Sequence, residues 1–119
     1  MIEVYKDFRF EAAHFLPKVP QGHPCKNMHG HSYKVTVHIK GEPDAETGWL
    51  LDFGDIKKAF APIVQKLDHS VLNDIKGLEN PTSELMAIWV WNQLKPVLPL
   101  LSKIVVSETS TSGCVYEGK

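Results

Sequence analysis

The sequence predicts an α+β fold, in which a four-stranded antiparallel sheet carries two helices on one face, in the order ββααββ. Three observations support this class. Apolar and polar residues alternate in two segments near the start, apolar residues recur at helical spacing near the middle, and alternation returns near the end. The chain has 119 residues, a length that suits one domain, so we expect residues 1–119 to fold as a single unit.

The first two strands are predicted on either side of a long loop. Residues 4–15 alternate, with Phe8, Phe10, Ala12 and His14 on one face and charged residues on the other, which is strand periodicity. Prolines and glycines interrupt residues 16–28 and predict a loop. The alternation resumes over residues 31–40, and residues 104–116 carry two short apolar runs around a turn, which predicts a closing hairpin.

Two amphipathic helices are predicted between these strand pairs. Asp52 is the predicted N-cap of the first, because an apolar stripe at i, i+4, i+7, i+8 and i+11 begins at residue 56. Residues 49–51, just before it, could form a short additional strand. The second helix is predicted to begin with Asn80 as its cap and Pro81 in its first turn.

The overall charge indicates no macromolecular partner. The 13 lysines and arginines nearly balance the 14 acidic residues, and no run of five like charges occurs, so we expect no nucleic-acid binding. No stretch approaches the ~18 apolar residues of a membrane span, and the start lacks a signal-peptide pattern. We therefore expect a cytoplasmic protein, with Cys25 and Cys114 as free thiols.

Three histidines are predicted to meet at one end of the sheet. His14 ends the apolar face of the first strand, His31 begins that of the second, and His29 points the same way two residues earlier. Antiparallel pairing would bring all three imidazoles together. A single histidine on an apolar face is usually a hydrogen-bonded core residue, but three that converge form the ligand set of a catalytic zinc with one open position.

Cys25 lies four residues before His29 and has three possible roles. A thiolate is favoured close to a dication, which would make Cys25 a base or a nucleophile. The thiol could instead be a fourth zinc ligand, which would make the site structural, or an inert buried group. The spacing leaves these three roles open.

Two further acidic positions are candidates for chemistry. Asp68 and His69 are adjacent, and a carboxylate that orients an imidazole is a proton-transfer unit, although His69 could simply cap the first helix. Glu108 falls on the apolar face of its strand and needs a partner there. It suits recognition of a ring with adjacent N–H groups, and a strand-end salt bridge is the alternative.

Together these residues resemble the 6-pyruvoyltetrahydropterin synthase family, most closely its carboxy-forming bacterial branch. The gap of three residues between Cys25 and His29 is similar to that branch, whereas animal relatives have a longer gap. The resemblance runs along essentially the whole chain and rests on these segments: Phe10-Glu11-Ala12-Ala13-His14, Cys25-x3-His29-Gly30-His31, Gly48-Trp49-Leu50-Leu51-Asp52-Phe53, Leu67-Asp68-His69, Leu78-Glu79-Asn80-Pro81-Thr82-Ser83-Glu84 and Ser107-Glu108-Thr109.

The resemblance implies a tunnelling fold (T-fold) that assembles as a homohexamer of two stacked trimers. It implies one Zn²⁺ per subunit and assigns the site residues by position. The implied zinc ligands are His14, His29 and His31, the proton acceptor is Cys25, and the relay is Asp68 with His69. The implied substrate-binding residues are Glu108, Thr109 and Thr82, and Glu108 is also implied as a catalytic member of the relay.

The implied reaction is that of a zinc-dependent lyase in queuosine biosynthesis. It converts 7,8-dihydroneopterin triphosphate and water to 6-carboxy-5,6,7,8-tetrahydropterin, acetaldehyde and triphosphate. Lys18, Lys26 and Lys34 are candidates to bind the triphosphate. Two alternatives remain: triphosphate elimination alone, giving the pyruvoyl product, and a non-catalytic pterin-binding module with a closed zinc site. A simple zinc hydrolase would leave Glu108 and the Asp68–His69 pair unexplained.

Overall fold

The structure is a computed structural model that describes residues 1–119, and it contains five strands and two α-helices in the order ββαβαββ. Short 3-10 turns at Pro24–Lys26 and Leu72–Asp74 complete it. The helices and strands are β1 (Ile2–His14), β2 (His29–Gly41), α1 (Phe53–Leu67), β3 (Ser70–Val71), α2 (Ser83–Leu94), β4 (Leu101–Thr109) and β5 (Ser112–Tyr116).

The strands form one sheet in the spatial order β3-β1-β2-β4-β5. β1 and β2 pair antiparallel along their whole length, and β4 pairs antiparallel with both β2 and β5, the latter as the predicted hairpin. β3 pairs parallel to β1. The predicted four-stranded antiparallel sheet in the order ββααββ is therefore wrong by this one strand, because two residues are too few to show an alternating pattern.

Both helices pack on one face of the sheet, as predicted. The apolar faces of β1, β2 and β4 share one core cluster with the buried residues of α1 and α2. Phe8 of β1 stacks on Phe60 of α1 with ring centroids 4.1 Å apart. Alternate residues such as Arg9 and Ser32, on the opposite face, are exposed. On β1 and β2 the histidines are the last members of the row of side chains that faces the helices. The packing of the core therefore also orients the site.

The first helix begins where the sequence predicts. Asp52 caps α1, and its Oδ1 accepts a hydrogen bond from the Gly54 N–H at 2.8 Å. Residues 49–51 lead into this cap as a bend, so the possible extra strand there was wrong. Neither helix is long and apolar enough to cross a membrane.

The second helix begins two residues later than predicted. Thr82 is the N-cap of α2, and its hydroxyl accepts from the Leu85 N–H at 3.1 Å. The assignments of Asn80 as the cap and Pro81 as a first-turn residue were wrong. Asparagine and threonine both favour the N-cap position, so the residue type alone did not distinguish the two starts.

Candidate active site

The three histidines meet at the end of the sheet where the 15–28 loop joins β1 to β2. His14 and His29 are directly paired across the two strands, and His31 is paired with Ala12. The ligand nitrogens of the three rings all lie within 4.8 Å of one another. The predicted convergence of the imidazoles is therefore confirmed, and the cluster could hold a metal ion.

Two of the three rings present buried nitrogens that no group in the chain satisfies. The Nε2 atoms of His14 and His31 are both buried and have no hydrogen-bond partner. His14 is 1% exposed. A buried polar atom without a partner is costly, and a neutral imidazole nitrogen is a ligand that zinc prefers. The set of three imidazole nitrogens therefore fits zinc.

Backbone carbonyls fix how two of these rings point. Nδ1 of His14 lies 2.9 Å from the carbonyl oxygen of Pro81, and Nδ1 of His29 lies 2.7 Å from that of Asn27. Because a carbonyl only accepts, each Nδ1 carries the proton and each Nε2 is left free. Carbonyls in this position are the usual partners of metal-binding histidines. Sequence reasoning missed both, because every residue carries a carbonyl.

The surroundings of His14 keep it neutral. Burial lowers the pKa of His14, and the Pro81 carbonyl and the Glu108 carboxylate only partly oppose this effect. The hydroxyl of Tyr33 lies 3.2 Å from the same Nδ1, and burial raises the pKa of Tyr33, so it stays protonated. Tyr33 was also missed, although its place two residues after His31 on the same face was a usable signal.

Glu108 lies beside the histidine cluster. Its carboxylate oxygens are 3.6 Å from Nε2 of His31 and 3.9 Å from Nε2 of His14. The side chain is 25% exposed, and no lysine or arginine lies within ion-pair distance of it. The contacts of Glu108 at ion-pair distance are therefore those with His14 and His31. Thr109, the next residue, has its hydroxyl 2.9 Å from that of Ser112 across the β4–β5 turn.

Cys25 lies in the Pro24–Lys26 turn of the 15–28 loop. Its thiol is not among the ligand atoms that lie within 4.8 Å of one another, so the histidines form the cluster alone. Its backbone is held on both sides: the N–H donates to His23 Nδ1 at 3.1 Å, and the carbonyl accepts from the Leu16 N–H at 2.7 Å. Cys25 and Cys114 are both free thiols, as predicted.

The side chains of Asp68 and His69 form a close pair just after α1. Oδ2 of Asp68 is 3.0 Å from Nδ1 of His69, and Oδ1 accepts from the Glu11 N–H at 2.9 Å. These two contacts, the Glu11 bond first, lower the pKa of Asp68. His69 is 79% exposed and adopts a positive φ of 58°. Its ring lies against Asp68, which is the C-cap residue of α1, so the two side chains are close enough for the predicted pair.

One residue of the Asp68–His69 pair and one residue of the histidine cluster line the same cavity. His31 and His69 both line a space of about 490 Å³ at this end of the sheet. A second, wholly polar space of about 360 Å³ next to it is lined by Glu108 together with Arg9 and Lys34. The two spaces share Ser32 in their walls.

The three candidate lysines lie in different surroundings. Lys34 lines the polar space beside Glu108. Lys26 donates to the carbonyl oxygens of Pro17 and Val19 at 3.0 and 3.1 Å, so its ammonium group is engaged within its own loop. Lys18 is exposed on that loop. Lys34 is therefore the one of the three that lines a space together with Glu108, but it lies on the face of β2 opposite His31.

The fold and the site together define a class: an α+β enzyme with a three-histidine cluster that could hold a metal and a carboxylate–imidazole pair. Comparison with known proteins identifies the particular family. The chain belongs to the 6-pyruvoyl tetrahydropterin synthase family, whose model matches residues 3–119. The resemblance found from the sequence motifs is thereby confirmed.

Individual relatives agree with this assignment. The 6-carboxy-5,6,7,8-tetrahydropterin synthase of Synechocystis sp. is 41% identical over an alignment of 119 positions. The alignment covers 95% of this chain and 91% of the relative. The enzyme of the same name from Bacillus subtilis is 32% identical and covers 98% of this chain and 86% of its own length. The structure of Caenorhabditis elegans 6-pyruvoyl tetrahydropterin synthase matches with a TM-score of 0.91 at 28% identity, covering 99% and 96% of the two chains.

Proposed function

We propose that this chain is a zinc-dependent lyase of queuosine biosynthesis. It converts 7,8-dihydroneopterin triphosphate and water to 6-carboxy-5,6,7,8-tetrahydropterin, acetaldehyde and triphosphate. The observation that carries the proposal is that His31 of the three-histidine cluster and His69 of the Asp68–His69 pair line the same cavity. Full-length relatives named 6-carboxy-5,6,7,8-tetrahydropterin synthase support the choice of product.

The proposed cofactor is one Zn²⁺ per chain on His14, His29 and His31. Their free Nε2 atoms and the carbonyls behind two of the rings support this ligand set. Bound there, zinc would supply Lewis-acid polarisation of the oxygens on the pterin side chain. The Glu108 carboxylate within 4 Å of two of these nitrogens adds negative charge beside the metal position.

The remaining residues are proposed to bind the substrate and move protons. Glu108 accepts hydrogen bonds from the adjacent ring N–H groups of the pterin, with Thr109 and Thr82 as further contacts. Cys25 takes a proton from a carbon of the substrate's side chain. His69 returns protons elsewhere, held in place by Asp68 at 3.0 Å. Proton transfers of this kind leave the overall oxidation state unchanged, so the chain needs no nicotinamide or flavin.

Turnover of 7,8-dihydroneopterin triphosphate by wild type and Cys25→Ala tests this function. Wild type should release acetaldehyde and triphosphate in equal amounts. Cys25→Ala should keep its zinc and lose about 10²–10⁴-fold in turnover, the usual contribution of a proton-transfer group. Cys114→Ala, in which the other thiol is removed, is the matched control and should turn over like wild type. Loss of zinc from Cys25→Ala would contradict the role of Cys25 as proton acceptor.

A second candidate is triphosphate elimination to the pyruvoyl product. The high structural similarity to the Caenorhabditis elegans 6-pyruvoyl tetrahydropterin synthase favours it. The same assay separates the two reactions, because the pyruvoyl route releases triphosphate and no acetaldehyde. Pterin binding without any product would instead favour a non-catalytic module.

We further propose that residues 1–119 form one domain of a tunnelling fold that assembles as a homohexamer of two trimers in the cytoplasm. The pterin substrate is the only other partner proposed. Strand edges support the assembly, since β5 ends the sheet on one side and β3 covers only Ala12 and Ala13 of β1 on the other. Unpaired edges are surfaces on which a second copy can continue a sheet. Sedimentation at the mass of a single chain would contradict it.

A further inference from the structure

Side chains extend the very short strand β3 at both ends. The parallel pairing of β3 with β1 comprises only Ala12 with Ser70 and Ala13 with Val71. Before it, Asp68 Oδ1 accepts from the Glu11 N–H, as described above. After it, the Asn73 side chain pairs with the backbone of Phe15. Two residues of pairing are too few to be stable alone, so these side chains hold the segment against β1.

Asn73 makes three hydrogen bonds with one amide group. Its Oδ1 accepts from the Phe15 N–H at 3.0 Å, and its Nδ2 donates to the Phe15 carbonyl at 2.8 Å. Nδ2 also lies 3.3 Å from the carbonyl of Glu79. The partners fix the orientation of the amide, because an N–H requires the oxygen and the two carbonyls require the nitrogen.

These three bonds join the two pieces of backbone that fix the His14 ring. Phe15 directly follows His14 and begins the 15–28 loop. Glu79 lies two residues before Pro81, whose carbonyl accepts the His14 Nδ1–H. Asn73 therefore links the backbone that carries the ring to the backbone that orients it.

We propose that Asn73 is a positioning residue for the metal site, acting through His14 on zinc affinity. The inference rests on the proposed zinc function and extends it to a residue that touches neither metal nor substrate. Without Asn73, the 79–81 segment would lose its bond to the end of β1. The Pro81 carbonyl could then move relative to the His14 ring, and the free Nε2 would lose its fixed direction.

Competition between each protein and a chromophoric zinc chelator tests the proposal without using turnover. Asn73→Asp is nearly isosteric and keeps an acceptor for the Phe15 N–H, but it replaces the two donated bonds with carboxylate–carbonyl repulsion. Asn73→Ala removes all three bonds without adding charge. Asn92→Asp is the matched control, because it makes the same chemical change at an exposed position on α2.

Both Asn73 variants should bind zinc about tenfold more weakly than wild type, the lower end of the effect of removing a group behind a ligand. Their cobalt-substituted forms should show altered visible absorption, and Asn92→Asp should match wild type in both measurements. Circular dichroism checks that the compared proteins are folded. If Asn73→Asp is not folded, Asn73→Ala is compared with wild type instead. Wild-type zinc affinity and cobalt absorption in both Asn73 variants would overturn the inference while leaving the zinc function intact. A wild-type protein that binds no zinc would refute the metal centre itself.

Discussion

Removal of zinc from the histidine cluster should destabilise the fold by a calculable amount. The Nε2 atoms of His14 and His31 are buried and unsatisfied within the chain. Each such atom costs about 1–3 kcal/mol, so ligation of a metal should relieve about 2–6 kcal/mol. A chain of 119 residues unfolds with an entropy of about 0.25 kcal/mol per kelvin. The metal-free protein should therefore melt about 8–24 °C lower than the zinc-loaded protein.

Differential scanning calorimetry before and after treatment with a chelator measures this difference. Readdition of zinc should restore the original Tm, whereas magnesium should not, because it prefers oxygen ligands in octahedral geometry. His31→Ala should abolish the response to zinc. His38→Ala is the matched control: His38 lies on the opposite face of β2, 3.5 Å from Glu3, and its loss should leave the zinc response unchanged.

One result would refute the reasoning directly. If a protein with one zinc per chain and its metal-free form melt at the same temperature, the two nitrogens carry no cost in the absence of metal. The two Nε2 atoms would then have other hydrogen-bond partners in the metal-free protein, and their burial would no longer support zinc binding.

Two further predictions concern Asp68 and Thr82. Folding lowers the pKa of Asp68, so its contribution to stability is fully present above the unfolded pKa of about 3.9 and is lost as pH falls through the lower folded value. In urea, metal-free Asp68→Asn should have a lower free energy of unfolding than metal-free wild type at neutral pH, and this difference should become smaller below about pH 4. A difference in unfolding free energy that does not change with pH would contradict this. Thr82→Ala should lose about 1 kcal/mol of unfolding free energy, because the Leu85 N–H loses its acceptor, while Thr82→Ser should retain it. Equal stability of these two variants would show that the cap contributes nothing.

The histidine cluster was predictable because its three residues lie on two long strands whose alternating pattern is visible in the sequence. Side chains on a strand alternate between faces, so the pattern in β1 and β2 places every second residue without knowledge of the rest of the fold. An antiparallel pair joined by one loop must bring the end of the first strand beside the start of the second. The observed pairing of His14 with His29 follows from those two facts.

Other parts of the site have no such signature. β3 consists of Ser70 and Val71, and two residues cannot show a period. The acceptors behind His14 and His29 are backbone carbonyls, which are present at every position. These features depend on how distant segments pack, and only the three-dimensional structure reveals them.

The contact between Asp68 and His69 depends on an unfavourable backbone conformation, which the sequence does not predict. Neighbouring side chains usually point apart, and His69 reaches back to Asp68 with a positive φ of 58°. Glu11 holds both residues there, since its N–H donates to Asp68 and its carbonyl accepts from the His69 N–H at 2.6 Å. For a residue other than glycine, this left-handed conformation costs about 1–2 kcal/mol. Glycine would avoid that cost and would also remove the imidazole. His69 thus combines a strained φ, a contact with Asp68 and a place in the wall of the cavity, and strain of this kind is often found at functional positions.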